Sequence, residues 1–377
     1  MCIFQNFISA AIDSQLLKNV KNFEIKGISP VNFVFRTVEI ISLKTYDDTP
    51  QYNITTDGKN LIFPFIVISD QDKASKVTTS AGTEYESTVK MGELYISADN
   101  SFAKIVWDST EVALTTQTNT NSRGGEFSDL KWFDAKLTTV DDKTGIIYRI
   151  VNGTTHAMEI MADGSGDSDS LFKGEWMTVK DDKLYVGSHG KEITNSAGTI
   201  ITNINQQYIN IFSRNGAKEI INWEANFRAL RNAAGINFPG YLVHEGCQWS
   251  EIHQKWFFLP RKASHTVYTR DHDEISGTNL LITADATFKC IDVVKIGAVD
   301  AEFGYSGFQF VPKTNDTVII ALQTREVGVK PVASKINVFR TDGTILFASH
   351  LISGDYKMEG LEFYNWRKSD DSVLAEI

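Results

Sequence analysis

Ser128-Asp-Leu-Lys-Trp132, Glu175-Trp-Met-Thr-Val179, Glu245-Gly-Cys-Gln-Trp249, Ser306-Gly-Phe-Gln-Phe310 and Glu359-Gly-Leu-Glu-Phe363 follow one rule. Each opens on an oxygen-bearing side chain. Two residues on stands an apolar one (Leu130, Met177, Cys247, Phe308, Leu361), and four residues on another (Trp132, Val179, Trp249, Phe310, Phe363), with a polar residue between. Apolar residues alternating with period two mark a β-strand with one face in a core. Five copies in one register mark a repeat architecture. The anchors lie 47, 70, 61 and 53 residues apart, close to the roughly 40 to 50 residues of a four-stranded propeller blade plus insertions. The expected fold is all-β: a five-bladed β-propeller with one anchor per blade.

Innermost propeller strands surround a common axis, so the spacing also predicts chemistry. A single Ser or Glu at a strand start is an ordinary polar cap. Five of them aimed at one axis form an all-oxygen ring: Ser128, Glu175, Glu245, Ser306 and Glu359. Such a ring suits a hard cation, and Ca²⁺ accepts about six to eight oxygens in irregular geometry more readily than Mg²⁺ does. The expected cofactor is Ca²⁺.

Composition agrees with a large β-protein. Phe, Trp and Tyr make up 11% of 377 residues, and the net charge of −10 argues against nucleic acid, whose binding needs a basic face. A nucleotide needs only a few local cations or a metal. No stretch approaches the roughly 20 apolar residues of a transmembrane helix. Met1-Cys-Ile-Phe-Gln-Asn-Phe lacks a basic segment followed by an apolar run, so it does not read as a signal peptide. Three cysteines, Cys2, Cys247 and Cys290, cannot form a disulfide framework, and Cys247 at an inward strand position reads as a buried thiol. Sequons at Asn53, Asn152 and Asn315 are compatible with a glycosylated, secreted chain.

Residues 1–58 read as an extension packing on the domain, 59–363 as the propeller, and 364–377 as a tail. Leu61–Ser69 is a strongly apolar strand, and Glu93–Ser97 with Phe102–Trp107 is a hairpin. Each of the first four anchors is followed by a tight polar turn and a second strand: Leu137–Val140, Leu184–Gly187, Trp256–Leu259 and Val318–Leu322. Glu224–Ala234 places Phe227 and Leu230 on one helical face and ends at Gly235, a suitable C-cap. The last anchor has no second strand after it. The C-terminal strand is therefore expected to close into the first blade, which removes free edges.

Hairpin geometry then gathers residues around the axis, because an antiparallel second strand ends on the face where the anchor begins. Those residues are Asp70 and Asp72, Asp141 and Asp142, His189, Lys191 and Glu192, Arg261 and Lys262, and Arg325. Hairpin ends are polar in any β-protein, but acids and bases converging on a cation suit phosphoryl hydrolysis. The ion bridges phosphate oxygens, cationic side chains neutralise developing charge, and a carboxylate orients water. Asp70, Asp142 and Arg261 are the catalytic candidates, and Asp72, Asp141, Lys191, Glu192 and Lys262 the substrate-binding ones. The competing reading is a non-catalytic propeller pinned by calcium that binds a protein or a nucleotide. Asp163-Gly-Ser-Gly-Asp-Ser-Asp-Ser lacks EF-hand spacing, and Gly187-Ser-His-Gly-Lys-Glu is not a Walker A loop.

Lys173-Gly-Glu-Trp-Met-Thr-Val-Lys-Asp-Asp-Lys-Leu-Tyr-Val-Gly187, Phe227-Arg-Ala-Leu-Arg-Asn-Ala-Ala-Gly-Ile236, Trp256-Phe-Phe-Leu-Pro-Arg-Lys-Ala-Ser264 and Met358-Glu-Gly-Leu-Glu-Phe363 resemble the calcium-activated nucleotidases of the apyrase family. The resemblance runs over about residues 61–363. It implies a five-bladed propeller hydrolysing nucleoside di- and triphosphates at a central Ca²⁺, with ligands on the five anchors and with Asp70 and Asp142 in the nucleotide site. It also implies a secreted protein or one of the endoplasmic reticulum and Golgi lumen, monomeric or weakly dimeric. Ile193, where vertebrate members carry Trp, is a departure in a loop expected to meet the nucleoside.

Overall fold

The computed structural model describes residues 52–364, except 81, 152 and 329 and the side chains of 330 and 331. The expected extension over 1–58 and tail over 364–377 lie almost wholly outside the described residues. What is described is all-β apart from two short helices.

β1 (Thr55–Thr56), β2 (Asn60–Asp70), β3 (Lys76–Thr79), β4 (Gly82–Ser97) and β5 (Ala103–Thr116) begin the first sheet. β6 (Phe127–Phe133), β7 (Lys136–Asp141), β8 (Ile146–Val151) and β9 (Thr154–Ile160) form a second antiparallel meander, joined to β5 by one parallel pair, Thr115 with Thr154. The third sheet is β10 (Trp176–Lys180) and β11 (Lys183–Gly187), then, after the small β12 (Ile193–Thr194) and β13 (Ile201–Asn203) hairpin, β14 (Tyr208–Ser213) and β15 (Lys218–Asn222). Helix α1 (Glu224–Ala233) leads to the fourth: β16 (Tyr241–Ser250), β17 (Lys255–Ser264) and, after α2 (Arg270–Glu274), β18 (Leu280–Asp285) and β19 (Ile291–Lys295). β20 (Gly304–Phe310), β21 (Val318–Val327), β22 (Lys330–Arg340) and β23 (Ile345–Ile352) make the fifth. β24 (Lys357–Phe363) returns to pair with β2, from Phe65 opposite Phe363 to Asp70 opposite Lys357.

The expected hairpins and the C-terminal strand pairing are present. Three expectations need correction. The Glu93–Ser97 and Phe102–Trp107 hairpin is much longer, because β4 and β5 run 16 and 14 residues through stretches such as Glu84-Tyr-Glu-Ser-Thr, whose half-exposed polar alternation hides the strand. β17 and β21 likewise continue past Leu259 and Leu322. Arg261, Lys262 and Arg325 therefore lie within strands and not beyond their ends.

Apolar alternation is distributed in an orderly way. The five anchor-plus-two residues enter five different buried clusters, each built from two sheets. Leu361 joins Phe63 and Ile320; Leu130 joins Ile68 and Tyr148; Met177 joins Val140 and Phe172; Cys247 joins Trp176 and Trp256; Phe308 joins Leu259 and Phe339. The anchor strands also touch one another in cyclic order: β6 with β10, β10 with β16, β16 with β20, β20 with β24 and β24 with β6. Between them, the anchor-plus-three residues form a buried polar layer. Lys131 Nζ donates to Gln248 Oε1 and Gln309 Oε1, both at 2.9 Å, and lies 3.6 Å from Glu362. Gln309 Nε2 donates to Glu362, and Thr178 donates to Gln248. One ammonium thus links β6 to three other strands, and its hydrogen bonds satisfy groups that would be costly to bury alone.

The anchor-plus-one position is set by how closely these strands approach. A Cβ on Gly307 would sit 2.0 Å from the Glu359 carbonyl oxygen, and one on Gly360 would sit 2.7 Å from the Asp129 carbonyl carbon. Both contacts are with backbone, which cannot rotate away. Gly307→Ala is therefore expected to cost about 1–3 kcal/mol through strand displacement beside Glu359, read as a lower urea midpoint at unchanged slope; an unmoved midpoint would refute the close approach.

Candidate active site

Register explains how the anchors leave the strand faces. Phe127 pairs with Asp141 and Asp129 with Val140, so Ser128 has no partner. In the same way Glu245 is skipped between His244 and Gly246, Ser306 between Tyr305 and Gly307, and Glu359 between Met358 and Gly360. At the fifth, Trp176 pairs with Gly187 while the Glu175 N–H also donates to the Gly187 carbonyl at 2.8 Å. Every anchor is thus the extra residue of a β-bulge or of its two-against-one equivalent, a device that bends a strand and re-aims one side chain. All five are buried, between 1% and 4% exposed.

Burying three glutamates together requires cations. The cations alternate with the acids along one continuous chain. Asp142 is bound by Lys173, which also binds Glu175. Glu175 Oε1 lies 2.8 Å from His189 Nε2, which lies 3.2 Å from Glu245 Oε1. Arg261 Nη1 joins Glu245 at 2.5 Å to Glu359 at 3.2 Å, and its Nη2 reaches Glu326 at 3.3 Å. Lys357 Nζ then joins Glu359 at 3.1 Å to Asp70 at 2.5 Å. Beyond Asp70, Arg123 ties Asp72 to Glu126.

Proton affinities follow this chain. Burial works against ionised Glu245, yet Arg261 and His189 bring its carboxyl well below the usual range. Glu359 shares Arg261 at the longer distance; burial, with Glu245 and Glu175 nearby, pushes it up to about 8 against the pull of Lys357 and Arg261. Burial disfavours charged His189, but Glu175 and Glu245 outweigh it and raise its pKa. Burial raises Asp70 far above the carboxylate range despite Lys357, whereas the Asp142 carboxyl is lowered because Lys173 and Lys357 outweigh its burial.

A cleft of about 580 Å³ opens over this chain, lined among others by Asp72, Arg123, Asp142, Lys173, His189, Glu245, Arg261 and Lys357. Three buried oxygens have no hydrogen-bond partner among the described residues: Ser128 Oγ, Glu359 Oε2 and Asp142 Oδ1. Ser306 Oγ donates its proton to the Met358 carbonyl at 2.7 Å, which leaves only lone pairs to offer. Orphaned or donor-committed oxygens of this hard type fit a divalent cation.

The sequence-derived candidates take different places. Asp142, Asp72, Arg261, Lys191 and Lys262 line the cleft. Asp70 lies beneath it, with Oδ1 accepting from the Asp72 N–H at 2.7 Å and Oδ2 held by Lys357. Asp141 spends both oxygens on backbone N–H groups, of Gly125, Lys143 and Thr144, and so shapes the turn that presents Asp142. Glu192 forms a buried fork with Arg231 of α1 at 2.6 and 2.7 Å, and Arg325 pairs with Glu302 at 2.9 Å. Neither lines the cleft. Glu126, Lys173 and Lys357 were not singled out from sequence, although a signal existed: each stands two residues before an anchor, where the same period-two rule applies.

Comparison with known proteins supplies the identity. The apyrase family model matches residues 71–364. The chain belongs to the apyrase family. It is 40% identical over 96% of its length to soluble calcium-activated nucleotidase 1 of Rattus norvegicus, covering 89% of that protein. It is 38% identical to apyrase apy-1 of Caenorhabditis elegans, covering 86% of this chain and 88% of that one, and 34% identical to the apyrase of Cimex lectularius, covering 83% and 86%. No described helix is long and apolar enough to cross a membrane.

Within this apyrase-family site, His244 gives a pH signature. Its ring packs 5.3 Å from both Phe227 and Phe258, and burial with nearby His189 lowers its pKa to about 3. The unfolded chain takes up this proton near pH 6.5 and the folded chain does not. The contribution to stability is therefore complete above about 6.5 and is lost as pH falls from there toward 3, by up to about 1.4 kcal/mol per unit. His244→Phe should flatten the fall in unfolding free energy across that window relative to wild type; identical slopes would refute the assignment.

Proposed function

We propose that this chain is a Ca²⁺-dependent apyrase, hydrolysing nucleoside di- and triphosphates to release inorganic phosphate, on a five-bladed β-propeller whose five bulged anchors hold the ion. One observation carries the reading: five inner strands each re-aim a single oxygen donor, and unpartnered oxygens remain among those donors. The cyclic strand contacts support five blades, and the rat relative's name, calcium-activated, supports the choice of ion. Exposed sequon residues Asn53 and Asn315 support a secreted or lumenal location.

Ser128, Glu175, Glu245, Ser306 and Glu359 would hold Ca²⁺, which supplies charge neutralisation to phosphate oxygens. The remaining chemistry belongs to side chains. Water attacks the terminal phosphorus, the bridging P–O bond breaks, and the shorter nucleotide leaves. Asp142 is better placed than Asp70 to orient that water, because Asp142 lines the cleft with Oδ1 unpartnered whereas both Asp70 oxygens are engaged. A carboxyl held below the usual range is a weak base, so Asp142 positions the nucleophile more than it deprotonates it. The loose transition state of phosphoryl transfer demands little more. Asp70 fixes Lys357, Arg261 cross-links Glu245 to Glu359, and both cations face the cleft with Lys173.

Phosphate release from ADP, UDP, GDP and ATP should require Ca²⁺, be abolished by EDTA and be poorly restored by Mg²⁺; no release in Ca²⁺ would end the proposal. Asp142→Asn should lower kcat by at least about 100-fold while leaving Ca²⁺-dependent thermal stabilisation in place. Glu175→Gln should lose both, since an ion that binds only the folded state adds to its stability.

A further inference from the structure

Cations in the cleft divide into two sets. Arg123, Lys173, Arg261 and Lys357 are each paired with two or more carboxylates, so the acidic chain largely absorbs their charge. Among the described residues, Lys143, Lys191, Lys262 and Arg270 line the same cleft and form no ion pair. Lys143 adjoins Asp142. The other three stand together on the opposite wall. Lys191 Nζ lies 4.4 Å over the Tyr268 ring, Arg270 follows two residues after that tyrosine, and Lys262 Nζ donates to the Glu274 carbonyl at 3.1 Å. Asp273, on the same short helix as Arg270, is the carboxylate whose field reaches both lysines. One acid thus serves three cations. Lys262 is only 7% exposed, and a buried ammonium without a counter-ion is costly unless a ligand supplies one.

We propose that Lys191, Lys262 and Arg270 form an outer anion subsite that receives the phosphate nearest the nucleoside when the substrate is a triphosphate, and that they set the balance between tri- and diphosphates. The inference rests on the hydrolase reading above. The terminal phosphate lies beside Asp142 in either substrate, so an added phosphate moves the nucleoside outward by one position. A diphosphate presents its sugar to this wall; a triphosphate presents another charged group. Two ammonium groups and one guanidinium fork match that group.

The test compares kcat/KM for ATP and ADP, which share a base, in the full-length wild type and in the double variant Lys191→Met/Arg270→Met, with Ca²⁺ present. The ATP value should fall at least about tenfold more than the ADP value, the scale of one lost charge-assisted contact. Equal losses on both, or no loss, would overturn the subsite. Calorimetry with tripolyphosphate and pyrophosphate reads binding without turnover. Wild type should favour tripolyphosphate and the variant should lose that preference, while an unchanged preference would overturn the proposal. If neither nucleotide is hydrolysed by wild type, the hydrolase reading fails and the calorimetric comparison still decides the subsite. Matching thermal melts of the two proteins establish that folding is not the cause.

Discussion

Three carboxylates held near one another out of water set the terms for everything around them. The ligating oxygens of Glu175 and Glu245 lie within 4.8 Å of each other, a separation at which like charges repel by roughly 3–4 kcal/mol at an effective dielectric of about 20. No core of leucines could supply the compensation. It comes from Lys173, His189, Arg261 and Lys357, and each must be delivered from a different strand or loop to the correct pair of acids. The fold serves that delivery. Lys173 and Lys357 arrive on the approach to their own anchors, and Arg261 arrives one strand later, carried by the unusually long β17.

The bulges reconcile two demands that a regular strand cannot meet together. Period-two alternation commits the anchor-plus-two and anchor-plus-four residues to the inter-sheet clusters, and in a flat strand it would send the anchor the same way. An extra residue at the anchor breaks the phase there and nowhere else. Packing and ligation thus use adjacent positions of one strand without competing, and the glycines at 307 and 360 let neighbouring strands approach until their oxygens can share a site.

Much of this was legible beforehand, for physical reasons. The five registers, the hairpins and the return of the C-terminal strand follow from alternation and turn chemistry, which are local. The acids Asp70, Asp72 and Asp142 and the bases Arg261 and Lys262 were found because hairpin geometry is also nearly local. What sequence hid was the partner of each group. Glu192 was expected beside the substrate, but Arg231, distant in sequence, claims it from helix α1. Asp141 and Asp142 look equivalent, and only the backbone of the turn decides that one is spent on N–H groups while the other keeps a free oxygen. The bulges carry no compositional mark beyond a following glycine in three cases of five. The long β4 and β5 were missed because edge-like polar alternation resembles loop.

Lys131 reaches across the space between the inner strands, where Gln248, Gln309 and Glu362 close around its ammonium. Under the proposed ring this layer acts as a floor. A reaction vessel with a floor has a single doorway, and its contents must leave in the reverse of the order in which they went in. The phosphate released at the deepest point has the nucleotide product between it and solvent, so the shape of the vessel, apart from any affinity, makes nucleotide departure the event on which the next turnover waits.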